Sequence, residues 1–391
     1  MVKCLQAVVV QSSTAPHDAR QLPVPCTNQA GNAAHNGGAA TKTTGTAKVA
    51  GAAAELTLTQ CSVCLQVAEF GCSGGINSVA PVKTLVHTLD QHLQQQQTEQ
   101  QALHIHVTHE DLPSNDFASL FRLLSDPTTS YTAPPSSSTN SSSSSRCRVT
   151  YAAVGRSFYE PLFPPASLHV GFSCCALHWL SRAPVLLSST PHWFSPRVTQ
   201  QERELGQQQA VADLASFLAL RADEFVPGGL LALTFIGSGS DDDVVDAHPY
   251  FRDKVEGCWL QLLQEGSISQ QELSALSAAA NYHRSLATSL ASLRQQPWEL
   301  LHASSDTIEH PAWRQFESGS IDATQLGQAY ANMWRAINET QQVLLLQQLK
   351  GKESAAAVVG LYYARLAAAM AEDPQCLRAA TNSLLLKRTD S

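Results

Sequence analysis

Residues Val63 to Leu93, VCLQVAEFGCSGGINSVAPVKTLVHTLDQHL, decide the fold. The first eight, VCLQVAEF, are apolar and β-rich, and Gly71 to Asn77 turns the chain. Beyond the turn, Val79, Val82, Leu85, Val86, Leu89 and Leu93 fall at three- and four-residue steps, the period of an amphipathic helix. Strand, glycine turn and helix in that order form the first unit of a nucleotide-binding α/β fold. Leu103 to Val107, LHIHV, predicts a second strand ending at His109-Glu110-Asp111, and Asn115 or Asp116 caps a helix through Leu124. Strands follow near Val149 to Val154 and Ser167 to Cys174. A helix over Val211 to Phe225 carries Leu214, Phe217, Leu218 and Phe225 on one face, and a Pro227-Gly228-Gly229 turn leads into a strand from Leu230 to Ile236. Strands that alternate with helices predict a largely parallel sheet. From Pro249 onward the chain reads mostly as helices with polar connections, which predicts an α-helical cap beside the sheet.

Composition narrows the function classes. The 391 residues are 43% hydrophobic and 15% charged, enough for a large core in one domain or a domain with a cap. A formal charge of -8, with no basic cluster longer than Lys387-Arg388, argues against nucleic acid as a partner. No apolar run approaches the roughly 20 residues that span a bilayer, so no membrane partner is expected. The opening MVKCLQAVVVQSS lacks a full apolar core and a cleavage site, which argues against secretion. The first fifty residues contain one acid, Asp18, and many Ala and Thr, so a plastid or other organellar transit peptide stays open beside a cytoplasmic location.

The ten cysteines form no framework of disulfide spacings, the pattern of a reducing compartment. Cys61 and Cys64 make a CxxC with no second pair and no suitably spaced His, so neither zinc nor redox chemistry is expected there. Two low-complexity segments read as solvated surface, QHLQQQQTEQQ from Gln91 and the serine-rich loop APPSSSTNSSSSS at 133–145.

Four strings occur in order: GCSGGIN at Gly71 to Asn77, HEDLPSNDF at His109 to Phe117, YAAVGRSFYEPLFPPASLHVGFSCCALHWLSRAP at Tyr151 to Pro184, and FLALRADEFVPGGLLALTFIG at Phe217 to Gly237. Together they resemble the plant S-adenosylmethionine-dependent carboxyl methyltransferases, the SABATH family, which esterify salicylate, benzoate, jasmonate and related small acids. The resemblance runs from about Cys64 to Gly237 and continues more faintly through YANMWRAINE at Tyr330 to Glu339. It implies a Rossmann-like class I methyltransferase sheet with helices on both faces and an α-helical cap. The expected division is 1–60 as a divergent N-terminal segment, 61–245 as the cofactor-binding α/β domain and 246–391 as a mainly helical cap and C-terminal region. It also implies small-molecule metabolism of plant or algal type and is compatible with a homodimer.

By this resemblance S-adenosylmethionine is the cofactor. Gly71, Gly74 and Gly75 would let the backbone approach its methionine portion at a helix start. Glu69, where the family usually has Asp, would pair with the ammonium group or order a water, and Asn77 would secure the loop or the methionine end. Asp111 would accept hydrogen bonds from both ribose hydroxyls, because a carboxylate takes several donors at once. Leu112 would pack beside the adenine, with the Ser157 hydroxyl near its exocyclic nitrogen and the Phe158 ring on its face. Some family members also hold a structural Mg2+ near the cap. No ligand set for it maps onto this chain, and Asp241, Asp242 and Asp243 read as a solvated turn, so no metal ligand is assigned.

The same resemblance points His178 and Trp179 at the acceptor carboxylate as two donors and makes them the catalytic pair. Cys175 stands where the family usually has a tyrosine, which makes the substrate wall smaller and less polar. Phe235, Ile236, Trp193 and Phe194 would add apolar wall. No familiar base spacing surrounds Cys174-Cys175, so a thiol nucleophile is not expected. The family opens with a segment that donates a glutamine to the carboxylate, and only Asn36-Gly37-Gly38 stands in that region here. Three functions follow: methylation of a small organic acid on its carboxylate, N-methylation of a small heterocycle as in the related xanthine branch, or a non-catalytic relative that binds the cofactor and serves as a partner protein.

Overall fold

The computed structural model describes residues 64–95, 103–132, 147–238 and 249–390. Asn36-Gly37-Gly38 and the rest of the segment 1–60, Cys61 of the CxxC, the serine-rich loop 133–145 and Asp241 to Asp243 lie outside the described residues.

The glycine turn separates β1 (Cys64–Phe70) from α1 (Val79–Gln95). β2 (Leu103–Asp111), α2 (Phe117–Ser125), β3 (Cys147–Gly155) and β4 (Leu168–Cys174) follow. α3 (Gln200–Glu224) runs directly into β5 (Phe225–Ser238). Next come α4 (Pro249–Gln264), α5 (Gln270–Leu276), the two-residue β6 (Arg284–Ser285) and α6 (Leu286–Ala291). β7 (Trp298–Glu309), α7 (Ala312–Glu317), α8 (Ala323–Lys350), α9 (Lys352–Glu372) and β8 (Arg378–Arg388) complete the chain.

The sheet order is β3-β2-β1-β4-β5-β8-β7, with β6 beside the end of β5. β3, β2, β1, β4 and β5 pair in parallel, and β8 runs antiparallel to both β5 and β7. Strand order reverses at β1, whose neighbours are β2 on one side and β4 on the other. In open α/β sheets ligands bind outside the carboxyl ends of the strands at such a reversal.

Alternation along the strands sends side chains to two apolar layers. Val67, Ile105, Val107 and Phe172 meet Val82 and Leu85 of α1 and Leu120 and Leu124 of α2 on one face. Ala68, Phe70, Leu231, Leu233, Phe235 and Leu384 meet Leu214, Phe217 and Leu218 of α3 on the other. Burial on both faces is why these strands read as near-continuous apolar runs. Asp116 is the N-cap of α2, its carboxylate accepting from Ser119 N.

Two elements differ from the sequence expectation. α3 begins at Gln200, eleven residues before Val211, at a capping box in which Thr199 and Glu202 bond each other's backbone. The added turns, QQERELGQQQ, are good helix formers without an apolar stripe, so periodicity does not reveal them. The C-terminal region, expected to be mainly helical, also supplies β7 and β8 to the sheet. Outside a three-leucine run at Leu384, β8 is polar or small in sequence, and it becomes a strand because β5 and β7 flank it on both sides.

The cap forms its own core. Val255, Trp259 and Leu262 of α4, Leu273 and Leu276 of α5, Leu326 and Tyr330 of α8, and Val359, Tyr362 and Leu366 of α9 pack in one cluster, with Trp259 and Tyr362 stacked at 4.1 Å. Among the described residues α9 is the one helix long and apolar enough to cross a membrane. It spends its apolar face on the cap core instead.

A chain ended at Gln375 would lose β8 and leave facing edges of β5 and β7 unpaired. Such a truncation is expected to yield aggregated protein without a cooperative thermal transition, checked by size-exclusion chromatography and circular dichroism.

Candidate cofactor and acceptor site

The glycine turn is shaped by close packing. Gly71 has φ +80°, and a Cβ there would lie 2.2 Å from the Cβ of Ala176 in the turn after β4. Gly75 has φ +84°, and its Cβ would meet Leu120 Cδ1 at 2.4 Å. Both positions therefore require glycine for conformation and for space. Ser73, also left-handed at φ 48°, donates its N–H to Asp111 Oδ2 at 2.7 Å, and Asn115 Nδ2 donates to Ser73 O at 2.9 Å. Asn115, which the sequence offered only as a helix cap, ties the loop to the end of β2. Asn77 and Ile76 are exposed at the mouth of the turn, as is Leu112 after β2.

Asp111 sits where the sequence placed it, at the carboxyl end of β2. Oδ2 takes the N–H of Ser73 and Oδ1 that of Leu112 at 2.8 Å. An ionised carboxylate offers about four lone-pair sites, so capacity remains on both oxygens for further donors. Burial raises its pKa above the usual range, partly offset by those two N–H donors.

Glu69 lies beneath the turn and is buried. His109 Nδ1 lies 2.6 Å from Glu69 Oε2, and His109 Nε2 lies 2.8 Å from the Tyr131 hydroxyl. One oxygen of the residue expected at the methionine ammonium is thus committed to a buried chain that supports the loop from below. The extra methylene of Glu relative to Asp supplies the reach. His109 and Tyr131 had no sequence signal beyond the polarity of HED.

Glu110 was also missed. Its Oε2 accepts from Gly71 N at 3.1 Å, its Oε1 is buried without a partner, and its carboxyl is pushed up to about 9 by burial and by Asp111 beside it. An orphaned buried acid at the turn fits a crevice that receives a polar ligand.

The loop with Ser157 and Phe158 is held from behind by α3. Buried Arg221 donates Nη1 to Phe158 O at 2.9 Å and Nη2 to Glu160 O at 2.9 Å and to Glu224 Oε1 at 3.0 Å. Glu224 Oε1 also accepts the N–H groups of Leu162 and Phe163. The Phe158 ring lies near Gly71 and packs on Tyr159 and Phe217. Ser157 Oγ accepts from Tyr159 N at 3.2 Å.

Tyr159, unremarked in the sequence, joins this loop to the acceptor turn: its hydroxyl donates to Trp179 O at 2.8 Å. Asn281 forms an isolated antiparallel bridge with Trp179, and Tyr282 N donates to His178 O at 2.8 Å. His178 is buried and its pKa is held well below the usual imidazole range by burial, then by His283 and Arg284, so the ring is neutral near pH 7. Trp179 is half-buried. Phe194 stacks at 4.9 Å on both His192 and His283, and His283 lies edge-on to His178 at 6.3 Å. The rings make a contiguous wall from the acceptor turn to the cap. Of the expected wall residues, Trp193 and Phe194 stand in this region, whereas Phe235 is buried between the sheet and α3. Cys175 has φ 55° and donates N–H to Thr234 O at 2.6 Å, and burial pushes its thiol up to about 11, so it is no thiolate near neutrality. Among the described residues no group of three or more His, Cys, Asp or Glu is arranged to hold a metal ion.

A glycine turn at the strand reversal, an acid closing β2 and a His-Trp pair in the turn after β4 make up the candidate site. The sequence pattern of the SAM dependent carboxyl methyltransferases matches residues 32–389. The chain belongs to that family. The match begins well before Cys64, the start of the resemblance in the four strings, and takes in Asn36-Gly37-Gly38. The methyltransferase FUS9 of Gibberella fujikuroi is 27% identical over 287 residues, 72% of this chain and 71% of that protein. Gibberellic acid methyltransferase 1 of Arabidopsis thaliana is 33% identical over 228 residues, 54% of this chain and 56% of the relative, so the chain spans about half the length of that plant protein. A solved structure, loganic acid methyltransferase with SAH, superposes with a TM-score of 0.65 at 20% identity and covers all of this chain and 93% of its own. That likeness establishes the Rossmann-like methyltransferase fold. Relatives of this chain thus occur in Gibberella fujikuroi as well as in a plant.

Arg221→Met would leave Glu224 buried without its cation and is expected to destabilise the fold by roughly 3–5 kcal/mol in urea denaturation, with part of the loss restored by adding Glu224→Gln. Glu110 gives a pH dependence. Between its ordinary value of 4.5 and about 9 the folded chain holds a proton that the unfolded chain has released, so stability falls as pH rises through that window. Thermal midpoints from pH 5 to 9 are expected to fall less steeply in Glu110→Gln than in the wild type.

Proposed function

We propose that this carboxyl methyltransferase esterifies a small, flat organic acid in the crevice between Asp111 and Trp179. The observation that carries the reading is the contact of the two half-sites: Ala176, two residues before His178, fills the space left by the missing Cβ of Gly71. The cofactor turn and the acceptor turn are thus packed directly together, as a direct transfer between two bound molecules requires.

S-adenosylmethionine, when bound, supplies an electrophilic methyl group on a sulfonium. The residues present suit it. Asp111 retains acceptor capacity for the ribose hydroxyls, Ser157 and Phe158 sit on a loop braced by Arg221, and exposed Leu112 offers apolar cover beside the adenine. Gly71 and Gly75 hold the turn that would receive the methionine portion, with Asn77 at its mouth, while Glu69 acts on it from below through His109.

A carboxylic acid is already ionised near pH 7, so no general base is required. Trp179 and His178 would hold and orient the acceptor carboxylate through N–H donors. A neutral His178 can do this without a permanent counter-charge that would blunt the nucleophile. Alignment of reacting atoms contributes on the order of 7–11 kcal/mol in favourable cases. Cys175, with its small side chain and protonated thiol, leaves width in the substrate wall. Cys64, Cys72, Cys175, Cys258 and Cys376 stand as free thiols, which supports action in a reducing compartment such as the cytoplasm.

Two measurements test the reading. Calorimetric titration with S-adenosylhomocysteine is expected to give binding that Asp111→Ala weakens by at least about tenfold, the effect of losing hydrogen bonds to a charged group. With labelled methyl donor and a panel of small acids, Trp179→Phe is expected to lower methyl transfer by roughly 10- to 100-fold while leaving S-adenosylhomocysteine binding intact. Cofactor binding without transfer to any acid would favour the non-catalytic reading.

A further inference from the structure

Beside the acceptor turn, toward the cap, lies a cavity of about 10 Å³, space for one water-sized group. His192, Trp193, Asn281, Trp259, Trp334 and Asn338 are among its lining residues, and no Asp, Glu, Lys or Arg side chain faces it. Three of these buried residues each leave one polar atom without a partner: His192 Nε2, Asn281 Oδ1 and the indole N–H donor of Trp259. His192 is hydrogen-bonded to the backbone of Val255, and burial pushes its pKa down to about 3, so the ring is neutral. Its proton serves the bond to Val255, which leaves Nε2 as a lone-pair acceptor. Asn281 Oδ1 is an acceptor as well. Two unsatisfied acceptors in one small uncharged cavity are costly unless a donor reaches them.

The position ties this cavity to the methyl-transfer site. Asn281 stands across the bridge from Trp179, and His192 is the far end of the stack that runs through Phe194 and His283 to His178. An acid held by His178 and Trp179 that lies flat on this wall would direct its far side toward the cavity. We infer that His192 and Asn281 form a specificity subsite for an uncharged hydrogen-bond donor, a hydroxyl or neutral amine, carried by the acid remote from its carboxylate. This deepens the carboxyl methyltransferase reading and rests on it. In acids without such a donor, a water takes the place, giving one proton to each acceptor. A donor-bearing acid displaces that water and gains where its bare analogue does not.

The test is calorimetric titration of the full chain, saturated with S-adenosylhomocysteine, with benzoate and cinnamate and with their ortho, meta and para hydroxy and amino derivatives. At least one donor-bearing acid is expected to bind about tenfold or more tightly than its parent. His192→Phe, which keeps a ring on Phe194, and Asn281→Leu, which removes the other acceptor, are each expected to shrink that advantage to within about twofold. Unchanged S-adenosylhomocysteine affinity in either variant certifies its fold. The inference fails if no derivative outbinds its parent, if none of the acids binds, or if the advantage survives in a folded variant. Failure of the methyltransferase reading is a separate observation, loss of methyl transfer from labelled donor, because the subsite is read from acid binding alone.

Discussion

The site depends on the closeness with which the end of β1 meets the turn after β4. At Gly71 the backbone is left-handed and the position of a side chain is already taken by Ala176. Any larger residue would push apart the turn after β1 and the turn after β4, and with them the two halves of the proposed site. Gly75 does the same against Leu120 of α2, so the turn is gripped from two sides. These glycines serve the protein's own packing as much as access for a ligand.

Around this contact the protein keeps an unusual number of polar groups out of water. Each is fastened to something that shapes the crevice. Glu69, His109 and Tyr131 brace the turn from below, and Arg221 with Glu224 fixes the loop of Ser157 and Phe158. At the surface of the turn, Asp111 and Asn115 pin the exposed Ser73. The buried bonds among these are lost only at a large cost, which favours a fixed shape for the turn and the loop. Among the buried side chains that leave an atom unsatisfied are Glu110, His178, His192 and Asn281. They cluster along the path from the cofactor turn to the cap, which is where a ligand would meet them.

Much of the α/β half was legible in the chain. The glycine turn, the apolar strands and the Asp116 cap carry local signals that survive without tertiary context, since a left-handed turn needs glycine and a doubly buried strand needs apolar side chains. The first turns of α3 carry no apolar stripe, and their one buried residue, Gly206, meets Trp193 through a bare backbone that periodicity does not register. β8 was hidden for the opposite reason: its identity as a strand comes from two neighbours, not from its own pattern. His178 and Trp179 were readable by resemblance, but their surroundings were not, because Asn281, His283, His192 and Phe194 arrive from segments remote in sequence and carry no shared motif.

The sequence by itself determined the class of fold, the candidate cofactor residues and the family. Those rest on local chemistry and on strings that stay together along the chain. Tertiary structure alone decided that Glu69 supports the turn from beneath, that Arg221 and Tyr159 couple the two loops, and that a histidine-lined wall joins the acceptor turn to the cap. The reason is physical: a carboxylate or an imidazole has several chemistries open to it, and only the neighbours brought by folding, with the water they exclude, select one.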